Sequence, residues 1–121
     1  LIVDSDSNRA LALADALRTR AGYDVHVVTS DFETGAAVQK LSPHVLLINL
    51  LAKDIDAKVI CDGLRTDEEF QTIKIMALTG QLGDSEATAL LQKGFDAFLP
   101  VRSDPAEIIK KIEQATAIIY R

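Results

Sequence analysis

Hydrophobic positions along this chain repeat with two alternating periods, and each change of period marks a new element. Leu1-Ile2-Val3 is a short apolar run, after which Ala10, Leu13, Ala14, Leu17 and Ala21 recur at the spacing of one helix face. Asp6 or Ser7 can cap that helix, and Gly22 can end it. Tyr23 to Thr29 alternates and is rich in Val, which predicts a second strand. A short helix from about Asp31 to Leu41 stops before Pro43. His44 to Leu50 is almost unbroken aliphatic sequence, as in a strand buried on both faces. A helix over Ala57 to Asp67 follows, with Val59, Ile60 and Leu64 expected to face inward. Ile73 to Thr79 reads as a fourth strand, Asp84 to Lys93 as a helix closed by Gly94, and Phe95 to Leu99 as a fifth strand. Ser103 or Asp104 caps the last helix, with Pro105 at its favoured first position. That helix is expected to reach the C-terminus with Ile108, Ile109, Ile112, Ala115 and Ile119 buried.

Strands alternating with helices through short connections predict an α/β fold. The sheet is expected to be five-stranded, parallel, doubly wound and covered on both faces. The 121 residues read as one domain spanning 1–121, without repeats or linkers. The first residue is not Met and lies inside a strand, so the chain is expected to be a piece of a longer protein. A hydrophobic share of 48% is enough to fill one core and excludes disorder. No apolar run is long enough to cross a bilayer, and the single Cys61 excludes a disulfide framework. The expected compartment is the cytoplasm. With a net charge of −5 and no basic stripe, the chain is not expected to contact nucleic acid, nor a membrane. Lys110-Lys111, followed closely by Glu113, reads as a solvated helix face.

In a sheet of this kind, ligands bind outside the carboxyl ends of the strands. The residues placed there are Asp4-Ser5-Asp6, Asn49, Thr79-Gly80 and Pro100-Val101. The first turn has no glycine for a dinucleotide, and its two carboxylates would repel the phosphate of FMN. The run from Leu1 to Val25 resembles the first strand, acidic turn and first helix of the receiver domains of bacterial response regulators. "LSPHVLLINLLAKDIDA", "LRTD", "IKIMALTG" and "LLQKGFDAFLP" follow at that family's spacing, so the resemblance covers essentially the whole chain. It implies a flavodoxin- or CheY-like (βα)5 sheet in the order 2-1-3-4-5, in a protein of two-component signalling.

In that family two acids after the first strand and an acceptor aspartate after the third hold Mg²⁺. A Thr after the fourth strand and a Lys after the fifth bind the phosphoryl group. Here Asp4 matches the first acid, Ser5 stands at the second, and Asn49 stands at the acceptor position. Thr79 is kept, Val101 replaces the lysine, and Arg102 replaces the proline after it. The amide of Asn49 is not a competent nucleophile toward phosphorus. Mg²⁺ prefers carboxylate oxygens, and two of three are absent, so neither Mg²⁺ nor another cofactor is expected. Asp4 and Asp6 together are the weak remaining possibility for a metal. Two carboxylates about 5 Å apart would repel by roughly 3 kcal/mol at an effective dielectric near 20. Ser5 and Asn49 remove that repulsion and are expected to donate hydrogen bonds to Asp4.

The resulting expectation is a degenerate pseudo-receiver, not an enzyme, that works through protein contacts without phosphorylation. Its surface is expected to be the fourth helix, fifth strand and fifth helix, which receivers commonly use to meet a protein partner or a second copy. Phe98 stands at the family's switch aromatic and is expected to be fixed core. Cys61, His26 and His44 are read as structural. A trans Val101–Arg102 bond is expected where the family's Lys-Pro bond is typically cis. Two alternatives stand beside this reading. One is a phosphoacceptor rearranged around Asp6 with Asp54 or Asp56 as acceptor; the other is a small-molecule binder in the vacated pocket.

Overall fold

The computed structural model describes residues 1–52, 55–80 and 84–117. Five strands alternate with five helices: β1 (Ile2–Val3), α1 (Ser7–Ala21), β2 (Val27–Val28), α2 (Asp31–Leu41), β3 (Val45–Asn49), α3 (Ala57–Thr66), β4 (Lys74–Thr79), α4 (Asp84–Gln92), β5 (Ala97–Pro100) and α5 (Pro105–Thr116). All pairings are parallel and the sheet order is β2-β1-β3-β4-β5. The expected (βα)5 architecture is therefore present.

The unbroken aliphatic runs are explained by two cores, one on each face of the sheet. Val3, Val28, Leu46, Ile48, Ile75 and Ala77 pack with Val38, Cys61, Leu64 and Phe70 on the α2–α3 side. Ile2, Leu47, Met76, Leu78 and Leu99 pack with Ala10, Ala14, Leu17, Ile108 and Ile112 of α1 and α5. Successive strand residues point to opposite faces, so Leu46 and Ile48 go one way and Leu47 the other. A strand with a core on both sides has no position left for a polar residue until it ends.

Several expectations need correction. Val59 is 64% exposed rather than inward. The buried face of α3 is Cys61 and Leu64, with Ala57 and Ile60 half-buried against the same cluster. Val59 lies two residues, about 200°, from Cys61, on the opposite side of the helix. On α5 the third buried position is Thr116, whose hydroxyl donates to the Ile112 carbonyl at 2.7 Å. Ala115 is half-buried, and Ile119 lies outside the described residues. The second strand is shorter than its alternation suggests, with only Val27–Val28 on the ladder. The cap of α2 is Ser30, whose hydroxyl oxygen accepts the Glu33 N–H at 3.2 Å. As expected, Gly22 ends α1, in the left-handed conformation (φ 68°) that glycine adopts without steric penalty.

Candidate functional site

The ends of β1, β3 and β4 bring together the residues on which the sequence reading turned. The Asp4 N–H donates to the Val28 carbonyl at 3.1 Å, which seats Asp4 at the carboxyl end of β1. Asn49 is the last residue of β3 and Thr79 the last of β4. The Val101 N–H donates to the Thr79 carbonyl at 2.7 Å and so holds the chain beyond β5 against this same edge.

Asp4 is only 3% exposed, and Asn49 1%. A buried carboxylate must be paired and hydrogen-bonded, and this one is saturated. Its Oδ1 accepts the Asp6 N–H at 3.0 Å and Arg9 Nη2 at 3.0 Å. Its Oδ2 accepts Arg9 Nε at 2.9 Å and Asn49 Nδ2 at 3.1 Å. The carbonyl oxygen of the Asn49 amide accepts the Leu51 N–H at 2.9 Å, so both ends of that amide are engaged. Burial by itself would push the Asp4 carboxyl up. The bonds from Arg9, the Asp6 N–H and Asn49, with the charge of Arg9, hold it below its ordinary value.

The other predicted positions take different roles. Ser5, expected to donate to Asp4, is exposed, and the donors that Asp4 uses are Arg9, Asn49 and the Asp6 N–H. Asp6 caps α1, its carboxylate accepting the Arg9 N–H at 3.2 Å. The Thr79 hydroxyl donates to the Gly80 carbonyl at 2.7 Å. Val101 is half-buried against the α1–α5 core, and Phe98 is half-buried against the core on the other face. Asp56 caps α3, accepting the Val59 N–H at 3.2 Å, while its own N–H donates to the Asp31 carboxylate. Asp54 lies outside the described residues. The Val101–Arg102 bond is trans. Cys61 is fully buried on α3, and burial pushes its thiol up, as for a small hydrophobe. His26 and His44 lie at the amino ends of β2 and β3, on the opposite edge from Asp4.

The residue that the sequence reading missed is Arg9. Its signal was present: a base in the first turn of a helix, where an acid is favoured, five positions after a strand-end Asp. The arrangement does not fit Mg²⁺. Both oxygens of Asp4 already accept two bonds each, which is close to a carboxylate's full capacity. Among the described residues no group of three or more His, Cys, Asp or Glu side chains is placed to hold a metal ion. No helix among them is long and apolar enough to cross a membrane.

The response regulator receiver domain family matches residues 1–113, and the chain belongs to it. The chain is 26% identical over 112 residues to the DNA-binding response regulator MtrA of Mycobacterium tuberculosis, covering 93% of this chain and 47% of that protein. It is 27% identical over 117 residues to the DNA-binding dual master transcriptional regulator RpaA of Synechocystis, covering 93% of this chain and 46% of that one. The chain thus spans about half the length of these curated relatives. Its fold matches that of the chemotaxis response regulator CheY4 of Vibrio cholerae with a TM-score of 0.84, at 18% identity over 94% of both chains. This is a receiver domain of two-component signalling.

Proposed function

We propose that this domain is a pseudo-receiver: a regulatory module in bacterial signal transduction that acts through protein contacts and takes up no phosphoryl group. The observation that carries the reading is Asn49. It occupies the end of β3, where the family's acceptor aspartate belongs, and its amide is tied to Asp4 and Leu51. A carboxamide cannot form the aspartyl phosphate that a carboxylate oxygen forms. Val101, half-buried against the α1–α5 core, supplies no ammonium for an incoming phosphate. On this reading the domain is not an enzyme, needs no Mg²⁺ and works in the cytoplasm. Its partner is a protein or a second copy, met through α4, β5 and α5. The net charge of −5 argues against direct contact with DNA, although MtrA and RpaA are named as DNA-binding.

The test is phosphoryl transfer. Incubation with acetyl phosphate and Mg²⁺, followed by intact-mass spectrometry, should leave the mass unchanged. Changing Asn49→Asp alone should not restore labelling, because Ser5 and Val101 remain. A phosphorylated species of the unaltered chain, mapped to any acid at this edge, would overturn the reading.

A further inference from the structure

Arg9 sits against its local preference. It is the third residue of α1, at the positive end of the helix dipole, where a cation is disfavoured. What offsets this is Asp4, which lies under it with a side chain only 4% exposed, against 46% for Arg9. The planar fork delivers Nε and Nη2 to the two carboxylate oxygens as a bidentate pair.

We propose that Arg9 is a built-in cation, fixed by the chain in the role that a bound metal has in the family, so that this edge of the sheet holds one arrangement whether or not divalent ions are present. The inference rests on the reading of the domain as one that takes up no phosphate, and adds to it the residue that makes the acid pocket self-sufficient. Charge balance supports it. With Ser5 and Asn49 neutral, Asp4 is the one acid among the family's three site positions, and one guanidinium neutralises it. The bonding also connects separate elements. Arg9 ties the first turn of α1 to the end of β1, and Asp4 passes that tie to β3 through Asn49. In an ordinary metal site such a link would appear and vanish with the ion; here its cation is part of the chain.

The experiment is a competition between Arg9 and Mn²⁺, a paramagnetic stand-in for Mg²⁺, on the 121-residue chain. Ser5→Asp with Asn49→Asp rebuilds the carboxylate set while Arg9 stays. A triple variant adds Arg9→Ala. The triple variant should bind Mn²⁺ at least about ten-fold more tightly than the double, as read by calorimetry. Arg9→Lys in the same background keeps the charge without the fork and should fall between them. Equal Mn²⁺ affinity of the double and triple variants would overturn the proposal. If a rebuilt variant does not fold, the unaltered chain supplies the second reading. The Arg9 Nε–H resonance should be protected from exchange and unmoved by millimolar Mg²⁺, and its loss or displacement by the ion would overturn the proposal equally. Phosphorylation of the unaltered chain would instead defeat the functional reading while leaving the Mn²⁺ comparison intact.

Discussion

Two arginine–aspartate pairs lie at opposite ends of this sheet, and they do different work. At the amino ends of β4 and β5, Arg65 spends most of its donors on main-chain oxygens. Its Nε and Nη2 reach the Gly94 carbonyl at 3.0 and 2.7 Å, and its Nη1 reaches the carbonyls of Gln71 and Ile73, both at 2.8 Å. Asp96 accepts from Nη2 at 2.6 Å and from the Ile75 N–H at 2.8 Å. At the carboxyl ends, Arg9 engages one carboxylate, and that carboxylate collects the Asp6 N–H and the Asn49 amide. In the first pair the cation is the hub and what it gathers is backbone. In the second the anion is the hub, and two of its three partners are side chains. A cationic hub wrapped in carbonyls staples loops, whereas a buried anionic hub gathers side chains from separate elements at the edge where the family's site lies.

The largest expected effect is at the loop staple. Arg65→Ala removes five hydrogen bonds, leaves the Gly94 and Ile73 carbonyls short of partners and frees Asp96. Urea unfolding should show a loss of about 2–4 kcal/mol. Lys should recover only part of it, since one ammonium cannot span oxygens that the fork reaches together. Gly94→Ala attacks the same staple from the other side. Gly94 has φ 104°, and a Cβ there would lie 3.1 Å from Arg65 Cγ and 3.2 Å from Cys61 Sγ. If Arg65→Ala lost less than Arg9→Gln, the ordering of the two hubs would be wrong.

Next comes the site pair. Arg9→Gln leaves Asp4 buried with two neutral partners, and should lose about 1–2 kcal/mol at neutral pH. The figure is below that for a fully buried pair because Arg9 is half in water. Asn49→Ala should be of similar size, since it strips Asp4 of one donor and the Leu51 N–H of its acceptor. Thermal melts of the two variants and their combination would show coupling, because both act on the same carboxylate.

The two edges also differ in how far the sequence exposes them. β3 and β4 are legible because each is buried on both faces, which forces apolar residues at their interior positions. Val25 is buried and His26 exposed, so the alternation that predicts β2 is real, yet it runs on past the two residues that pair on the ladder. The strand ends fix where Asp4, Asn49, Thr79 and Val101 sit, so the geometry of the pocket follows once the strands are placed. Its bonding does not follow. Whether Ser5 or Arg9 reaches Asp4 depends on which way each side chain leaves the β1–α1 turn, and the hydrophobic pattern carries no record of that. The Arg65 staple is harder still to read, because its partners are carbonyls that carry no mark in the sequence.

Acidification sharpens the contrast. The Asp4 carboxyl is held below its ordinary value in the folded chain. Its contribution is therefore complete above the unfolded-state value of about 3.9 and is lost as pH falls through the folded value. In Arg9→Gln the largest influence opposing burial is gone, so less of the carboxylate's contribution is left to lose on acidification. The difference in stability between parent and variant should shrink as pH falls from about 4 to about 2.5, as followed by urea midpoints. A constant difference across that range would mean that Arg9 acts by packing and not through the charge of Asp4.

The smallest effect belongs to a third arginine–aspartate pair, which sets the baseline for the other two. Arg18 Nη1 lies 3.5 Å from Asp15 Oδ1 one turn earlier on α1, with the Asp15 side chain 77% exposed and that of Arg18 44%. The anion is not desolvated, so the attraction is screened and offset by the entropy of holding two side chains together. Arg18 also keeps an independent anchor, because its Nη2 donates to the Val25 carbonyl, and it lies in the last turns of α1, where a cation is favoured. Asp15→Ala should therefore change the unfolding free energy by less than about 0.5 kcal/mol, with little dependence on salt. A loss above about 1 kcal/mol would show that burial of the anion is not what separates these pairs. The distinction between a staple, a site and a surface contact would then need a different physical basis.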